Sequence, residues 1–437
     1  MMKKILLLLF SAIILASACR KEEPPVQRIT PAEARDSLYY LMNIWYYWNR
    51  SMPVVNPADY DDPYELMDAM RYRELDKWSF VIDYEENEAL KKGSFVGHGF
   101  MLGIDEDLNA RIAMIYPNSP LYQKGVRRGW LVREINGSDI AEVIISGDEE
   151  EYTRILGPSK TGIVNNFVFE PPDAPAISIS DVKSKFTINS VILYDTLNLK
   201  SGKTGHLVFD SFIEPSENEL AVAFGYFRAN NVTDLILDLR YNSGGYLNIA
   251  QLLASYIAGN DQYTAGDVFT NLVYNDDMKG YNDYYSYLPT AYPLNLDRIV
   301  VITSDMTASA SEVVINGLKP FTQVITIGET TEGKPVGMEG WNIDMTYIFW
   351  PVTFELRNSL GEGGYYDGLT PDATVADDIT HDFDNREELC LKEAIHYLEN
   401  GSFTGSKSIQ TRPQIYRSEK SEMLNNTLID PSYNTLP

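Results

Sequence analysis

Cysteine is almost absent: only Cys19 and Cys390 occur in 437 residues. Cys19 lies in the opening segment, so no intramolecular disulfide framework holds this fold. Histidine is as scarce, with four residues at positions 98, 206, 381 and 396. None is spaced as a metal ligand with another histidine or a cysteine, so no zinc site is expected. Basic residues are outnumbered, 36 Lys and Arg against 62 Asp and Glu, giving a net charge of −26. Such a chain is repelled by nucleic acid and by anionic lipid, and neither is expected as a partner through charge. Internal repeats and low-complexity tracts are also missing. What is present is an ordinary globular composition, 44% hydrophobic and 22% charged, long enough for roughly two to four domains.

The first residues read as an export leader. Lys3 and Lys4 precede an apolar run, Ile5–Leu15, that is too short to span a bilayer as a mature helix. Ala16, Ser17 and Ala18 then lead into Cys19. This ending resembles the lipobox of bacterial lipoproteins, with Ala16 where that motif usually has Leu; a plain secretory signal is the alternative. The resemblance implies residues 1–18 as signal peptide and Cys19 as the lipidated N-terminus. The residues after it, Arg20-Lys21-Glu22-Glu23-Pro24-Pro25, open a polar tether over 19–30. They are similar to the surface-export signal of Bacteroidetes lipoproteins. The expected location is therefore the bacterial cell envelope, on the outer membrane and facing the periplasm or the outside. The membrane is met only through the lipid anchor.

Beyond the tether, Leu38, Leu41, Met42, Trp45 and Trp48 recur at three- and four-residue steps, the signature of an amphipathic helix. A second helix is expected over Asp62–Met70, within an N-terminal helical region spanning 31–93. From Ser94 the character changes. Short apolar runs at Phe100–Ile104, Ile112–Ile115 and Val132–Ile135 are bounded by Gly, Pro and Asn, as strands are. Ser119-Pro120, Gly125, Gly129 and Ile135-Asn136-Gly137 follow in an order that resembles the PDZ pattern. That implies a PDZ-like domain over 94–178, with Gly97, His98, Gly99 and Phe100 as its peptide-binding loop, although a structural glycine turn reads the same way. PDZ folds take a peptide by adding it as a strand to an exposed sheet edge. After residue 180, strands at 207–209, 234–239, 298–303 and 324–327 alternate with helices at 216–229, 246–258 and 310–319, which argues for an α/β core over 179–399. Residues 400–437 read as a loose polar tail.

Three segments of the core carry chemical potential. Asp238-Leu239-Arg240-Tyr241-Asn242-Ser243-Gly244-Gly245 takes a strand into a glycine pair and then a helix. Such a turn can aim backbone N–H groups into open space, as an oxyanion hole, a phosphate loop or a plain tight turn. Thr307-Ala308-Ser309-Ala310-Ser311-Glu312 opens a helix. Ser309 there is either a nucleophile at the positive end of the helix or the first residue of a capping box with Glu312. Gly328-Glu329-Thr330-Thr331-Glu332-Gly333-Lys334 follows a strand. Lys334 is either solvated or, if buried, depressed enough in pKa to act as a base.

Taken together and in this order, with a spacing of 25 between Ser309 and Lys334, the three segments resemble the core of the tail-specific, or C-terminal processing, serine peptidases. Gly368-Leu369-Thr370-Pro371-Asp372 matches the closing segment of that family, and the resemblance covers roughly residues 31–395. It implies an α/β core of crotonase/ClpP-like ββα units with an inserted PDZ-like domain and an N-terminal helical region. It also implies a Ser–Lys dyad acting on peptide or protein substrates: Ser309 as nucleophile, Lys334 as base, the N–H groups of Gly245 and Ala310 as oxyanion hole, and no cofactor. Glu312 is a candidate support for the lysine, because Met338 stands where many members place a glutamine. Ser311 is the competing serine. Two other readings have their own signatures: a degenerate peptide-binding lipoprotein would leave Ser309 unreactive, and a hydrolase of other acyl groups would turn over esters only.

Overall fold

The structure, a computed structural model, describes residues 28–258, 266–405, 413–415 and 429–434. The leader, Cys19 and the first part of the tether lie outside the described residues. The N-terminal region consists of α1 (Pro31–Trp45), α2 (Pro63–Met70), β1 (Phe80–Asp83) and α3 (Tyr84–Lys91). Thr30 and Glu33 close a capping box at the start of α1, and Pro31 occupies a position where a missing N–H costs nothing. Asp62 caps α2 by accepting from the N–H groups of Tyr64 and Glu65. Helix α1 ends at Trp45, so Trp48, expected on its apolar stripe, lies in the following turn.

Next come β2 (Ser94–Gly97), β3 (Phe100–Ile104), β4 (Ala110–Ile115), the single turn α4 (Pro120–Gln123), β5 (Leu131–Ile135), β6 (Ser138–Asp139), α5 (Ile140–Ser146), α6 (Glu149–Leu156), β7 (Val164–Glu170), β8 (Ile177–Val182) and β9 (Ser184–Thr187). Strands β3-β4-β5-β7-β8 form an antiparallel sheet with its own apolar core, including Leu102, Ile112, Leu121, Val132 and Phe167. Strand β9 pairs back onto β2. The unit therefore runs to Thr187, beyond the boundary at 178 expected from the sequence, because β8 and β9 complete pairings begun by β7 and β2.

The remainder contains β10 (Val191–Leu199), β11 (Gly202–Phe209), α7 (Ser216–Ala229), β12 (Asp234–Asp238), α8 (Leu247–Ile257), β13 (Val268–Tyr274), β14 (Asp283–Ser286), β15 (Arg298–Thr303), α9 (Ala310–Leu318), β16 (Gln323–Gly328), β17 (Val336–Ile343), β18 (Tyr347–Trp350), β19 (Val352–Arg357), β20 (Ala373–Thr374), α10 (Leu389–Asn400), β21 (Gln414–Ile415) and β22 (Ile429–Asn434). The central sheet runs β10-β11-β12-β15-β16-β20 and is parallel from β11 onward. Alternate residues of β12 and β15 serve opposite faces. Leu235, Leu237, Ile299 and Val301 join the core under α7, α8 and α9, while Ile236, Val300 and Ile302 join the core with Leu391 and Leu398 of α10. A sheet covered on both faces reads as the continuous apolar runs seen in the sequence. The result is a mixed α/β fold with an N-terminal helical region.

A second sheet, β1-β18-β17-β19-β13-β14, receives α1 and α2 on one face. Ala34, Leu38, Leu41 and Met42 pack there with Met338, Trp341 and Trp350. The tail differs from the loose segment expected: Gln414–Ile415 and Ile429–Asn434 are both strands, added to the edges of β3 and β17. Their pairing partners are remote in sequence, so local periodicity held no trace of them. Among the described residues, no helix is long and apolar enough to cross a membrane.

Candidate active site

The three chemical segments meet at the C-terminal ends of β12, β15 and β16, where parallel sheets commonly place their sites. After β12 the chain turns through Asn242. Its side-chain amide donates to Phe209 O at 2.9 Å, its Oδ1 accepts from Gly244 N–H at 2.9 Å, and its carbonyl accepts from Ala308 N–H at 3.1 Å. Gly244 has φ +111°, and a Cβ there would lie 2.8 Å from Ser309 Cβ, so only glycine lets the two loops approach. Gly245 bridges Phe212 in parallel fashion: Phe212 N–H donates to Gly244 O and Tyr246 N–H to Phe212 O. In that geometry the Gly245 N–H points away from Phe212, and among the described residues neither it nor the Ala310 N–H donates a hydrogen bond.

Ser309 heads α9 with φ 56° and ψ −116°, a backbone conformation costing roughly 1–3 kcal/mol for a non-glycine residue. Its N–H donates to Glu312 Oε2 at 2.8 Å, the Glu312 half of a capping box. The Ser309 side chain adds no cap hydrogen bond, and its Oγ is buried without a partner among the described residues. Buried hydroxyls normally find partners, and among the described residues this one is left without. Ser311 is the opposite case, since its hydroxyl donates to Asn242 O at 3.0 Å and latches the helix to the glycine loop.

Lys334 is fully buried. Burial lowers its pKa to about 7, against the opposing pull of Asp76, Glu332 and Glu312. Its Nζ stands 3.4 Å from Met338 Sδ and 5.6 Å from the centre of the Trp78 ring. Met338 thus occupies the lysine's flank, and its thioether is a weak acceptor. The loop is set by Glu312, which accepts from the N–H groups of Gly333 and Lys334 at 2.8 Å each and from the Thr331 hydroxyl. Burial raises Glu312 to about 7, with those same donors pulling it down. Glu332 N–H donates to Thr307 O at 3.0 Å, joining the two loops directly. Leu369 N–H donates to Thr331 Oγ1 at 2.7 Å, and Thr326 N–H to Asp372 Oδ2 at 2.8 Å, so the closing segment buttresses the lysine loop.

Beside the glycine pair opens a cleft lined by residues including Phe80, Phe95, Met101, Tyr116, Ile213 and Gly244. It draws its walls from the N-terminal region, the inserted unit and the core. Asp210, on the same wall, accepts from the Tyr116 hydroxyl at 3.0 Å, and burial raises its pKa to about 7. Nothing in its sequence surroundings singled this pair out.

The 97–100 loop packs within the inserted unit. Gly99, with φ +76°, fits against Ser119 and Phe186. The His98 ring is buried, its Nδ1 2.6 Å from Asp181 Oδ2 and its Nε2 2.7 Å from Asn165 Oδ1. Lys124 is 2.6 Å from the other Asp181 oxygen. The His98 side chain is therefore spent on the unit's own architecture. A buried ionic cluster joins this unit to the core, and its members are far apart in sequence. Arg128 reaches Asp377 at 2.8 Å and the Tyr241 hydroxyl at 2.7 Å, and Arg240 reaches Asp377 at 2.6 Å and Glu388 at 2.7 Å. Burial works against the Asp377 carboxylate, yet the two arginines hold it down to about 2.

The fold and the convergence of these loops define an α/β protein of the S41 protease type. Residues 203–375 match Peptidase family S41 and residues 33–80 match the Peptidase S41 N-terminal domain; the chain belongs to that family. It is 25% identical over 279 residues to the carboxyl-terminal-processing protease of Picosynechococcus, a match covering 63% of each chain. It is 25% identical over 265 residues to the carboxy-terminal processing protease CtpB of Bacillus subtilis, covering 59% of this chain and 52% of that one. The chain thus spans between half and two thirds of the curated relatives it matches. In fold it is similar to the crystal structure of a Bacteroides fragilis protein assigned to the S41 proteases. There the TM-score is 0.68 at 22% identity, over 84% of this chain and 97% of that one.

Proposed function

We propose that this protein is a serine endopeptidase of the C-terminal processing kind, with Ser309 as nucleophile and Lys334 as general base. The observation that carries the reading is the shared carboxylate: Glu312 fixes the backbones of Ser309 and Lys334 together, with a partnerless hydroxyl on one and a buried, pKa-depressed amine on the other. Neutral Lys334 takes the Ser309 proton as Oγ attacks the scissile carbonyl carbon. The N–H groups of Gly245 and Ala310 receive the oxyanion. As the tetrahedral intermediate collapses, the ammonium returns its proton to the leaving amine. Lys334 then draws a proton from the water that attacks the acyl-serine, and returns it to Ser309. The chemistry is a variant of the triad in which a lysine replaces histidine and carboxylate.

The inserted unit, 94–187, is read as PDZ-like and the core as crotonase/ClpP-like ββα units. The β3 edge takes a C-terminal or unfolded segment, and the adjoining cleft receives the side chains near the scissile bond. Residues 1–18, read as a signal peptide, and Cys19, read as its lipidation site, support a lipoprotein of the cell envelope that acts on exported proteins. The decisive test incubates a soluble chain starting at Lys21 with an unfolded protein and reads the fragments by mass spectrometry, with Ser309→Ala and Lys334→Ala alongside. Cleavage by the unaltered chain alone supports the dyad, and cleavage that survives Ser309→Ala removes Ser309 from the role.

A further inference from the structure

Two sheet edges near the candidate site are occupied, and both occupants come from the chain's own C-terminal segment. Strand β3 pairs with β4 along one edge, and along the other it carries β21, antiparallel, with Gln414 opposite Ile104 and Ile415 opposite Gly103. Successive tail residues therefore step towards the Gly97–Phe100 turn, the polarity of a peptide added to this edge. The contact includes side chains. Ile415 packs in one apolar cluster with Met101 and Tyr116, both of which line the cleft, and its Cδ1 lies 2.9 Å from where a Cβ on Gly103 would stand. Strand β17 is paired along one edge by β18 and β19, and its other edge carries β22, with Ile429 opposite Met338 and Tyr433 opposite Gly340. Met338 is the residue whose sulfur touches Lys334 Nζ.

An unpaired strand edge is an open row of donors and acceptors that any extended chain can complete. Here the same polypeptide completes one edge at the inserted unit and another beside the lysine. We infer that β3 and β17 are two stations of one path for an extended polypeptide, and that the C-terminal segment of this chain is its resident occupant, displaced when a substrate binds. The inference rests on the peptidase reading for its kinetic consequence, but not for the binding itself. A resident segment held intramolecularly competes at a high effective concentration, so substrate pays an affinity penalty to enter.

The test uses the full chain. Ile415→Asp places a charge in the apolar contact with Gly103 and weakens the first station. KM for an unfolded protein substrate should fall several-fold at unchanged kcat; an unchanged or higher KM overturns the inference. In the unaltered chain, an excess of a synthetic peptide of residues 412–434 should speed amide exchange in 414–415 and 429–434, read by mass spectrometry. Exchange indifferent to the peptide overturns it also. The same peptide, fluorescently labelled, should bind Ser309→Ala/Ile415→Asp at least several-fold more tightly than Ser309→Ala. Equal affinity counts against a resident occupant. This arm reads no catalysis, so the occupant stands or falls on it alone, while a failure of the unaltered chain to cleave an unfolded protein would remove the peptidase reading and leave the occupant in place. Rates per molecule that change with enzyme dilution would assign the occupant to a second copy and overturn the intramolecular form.

Discussion

The backbone N–H groups of Ser309 and Lys334 end on the same atom, Glu312 Oε2, each at 2.8 Å. One carboxylate oxygen therefore sets the separation of two residues that lie on different loops. The other oxygen holds Gly333 and Thr331, so the lysine loop has no independent freedom. A carboxylate accepting three N–H groups and a hydroxyl uses nearly all its lone pairs.

Replacing Glu312 by Gln keeps the shape but turns an NH₂ towards N–H donors that need an acceptor. Glu312→Gln is expected to lower kcat by about 10- to 100-fold with KM little altered, since orientation rather than binding is lost. Glu312 also pulls the lysine pKa upward, so the variant's pH–rate midpoint should move to lower pH. Steady-state kinetics from pH 5 to 9 check both effects, and an unmoved midpoint would deny the coupling.

The pH–rate profile of the unaltered chain should rise through about 7, where Lys334 titrates, falling roughly tenfold per unit below it. Lys334→Arg cannot supply a neutral base and should lose at least about a thousandfold in kcat/KM.

Stability should follow a different pH course. Glu312, lifted from 4.5 to about 7, holds a proton in the folded state that the unfolded chain has lost, so stability declines as pH rises across that window. Lys334, lowered from 10.5 to about 7, is neutral when folded while the unfolded chain stays protonated, so stability recovers from about 7 to 10.5. Thermal melts should show a shallow minimum near neutrality, and Lys334→Met should abolish the alkaline recovery while sparing the acidic limb.

Gly244→Ala sets a methyl group 2.8 Å from Ser309 Cβ at a φ of +111°. Activity should fall by at least a hundredfold for about 1–3 kcal/mol of stability, because the loop must retreat from the nucleophile. Denaturant melts beside rate measurements separate this from general unfolding.

Arg128→Met leaves the Asp377 carboxylate buried with one guanidinium fewer. A loss of about 3–5 kcal/mol is expected, measured by denaturant titration. The double variant with Asp377→Asn should recover part of it, whereas a surface pair would show less than about 1 kcal/mol.

Much of this was legible in the chain itself, for physical reasons that differ by element. The strands at Phe100–Ile104 and Arg298–Thr303 and the helix at Ser216–Ala229 stand where periodicity and turn residues put them, because local pattern and tertiary burial agree. Ser309, Lys334 and the glycine pair were nameable from motif order, and the structure brings their loops together. Glu312 was visible only as a possible support. Its hold on both loops depends on a strand order that no local pattern reveals. Asp210 with Tyr116, and Arg128 with Asp377, were silent for the same reason, as were both tail strands. The 97–100 segment was recognisable as a glycine turn, but the burial of His98 against Asp181 and Asn165 depends on partners more than sixty positions away.

The N-terminal helices have a consequence for how this chain reaches its structure. Ser79 Oγ accepts from the N–H of Val352, 273 positions later, and Leu38 and Met42 find their apolar partners in Trp341 and Trp350. The segment synthesised early can pack α1 on α2, through Leu38, Met42, Leu66 and Met67, but the sheet that both helices cover, with Trp341 and Trp350, is made only much later. Such remote pairings close slowly. Folding of the second sheet is expected to be a late event, timed by the completion of the polypeptide rather than by its start.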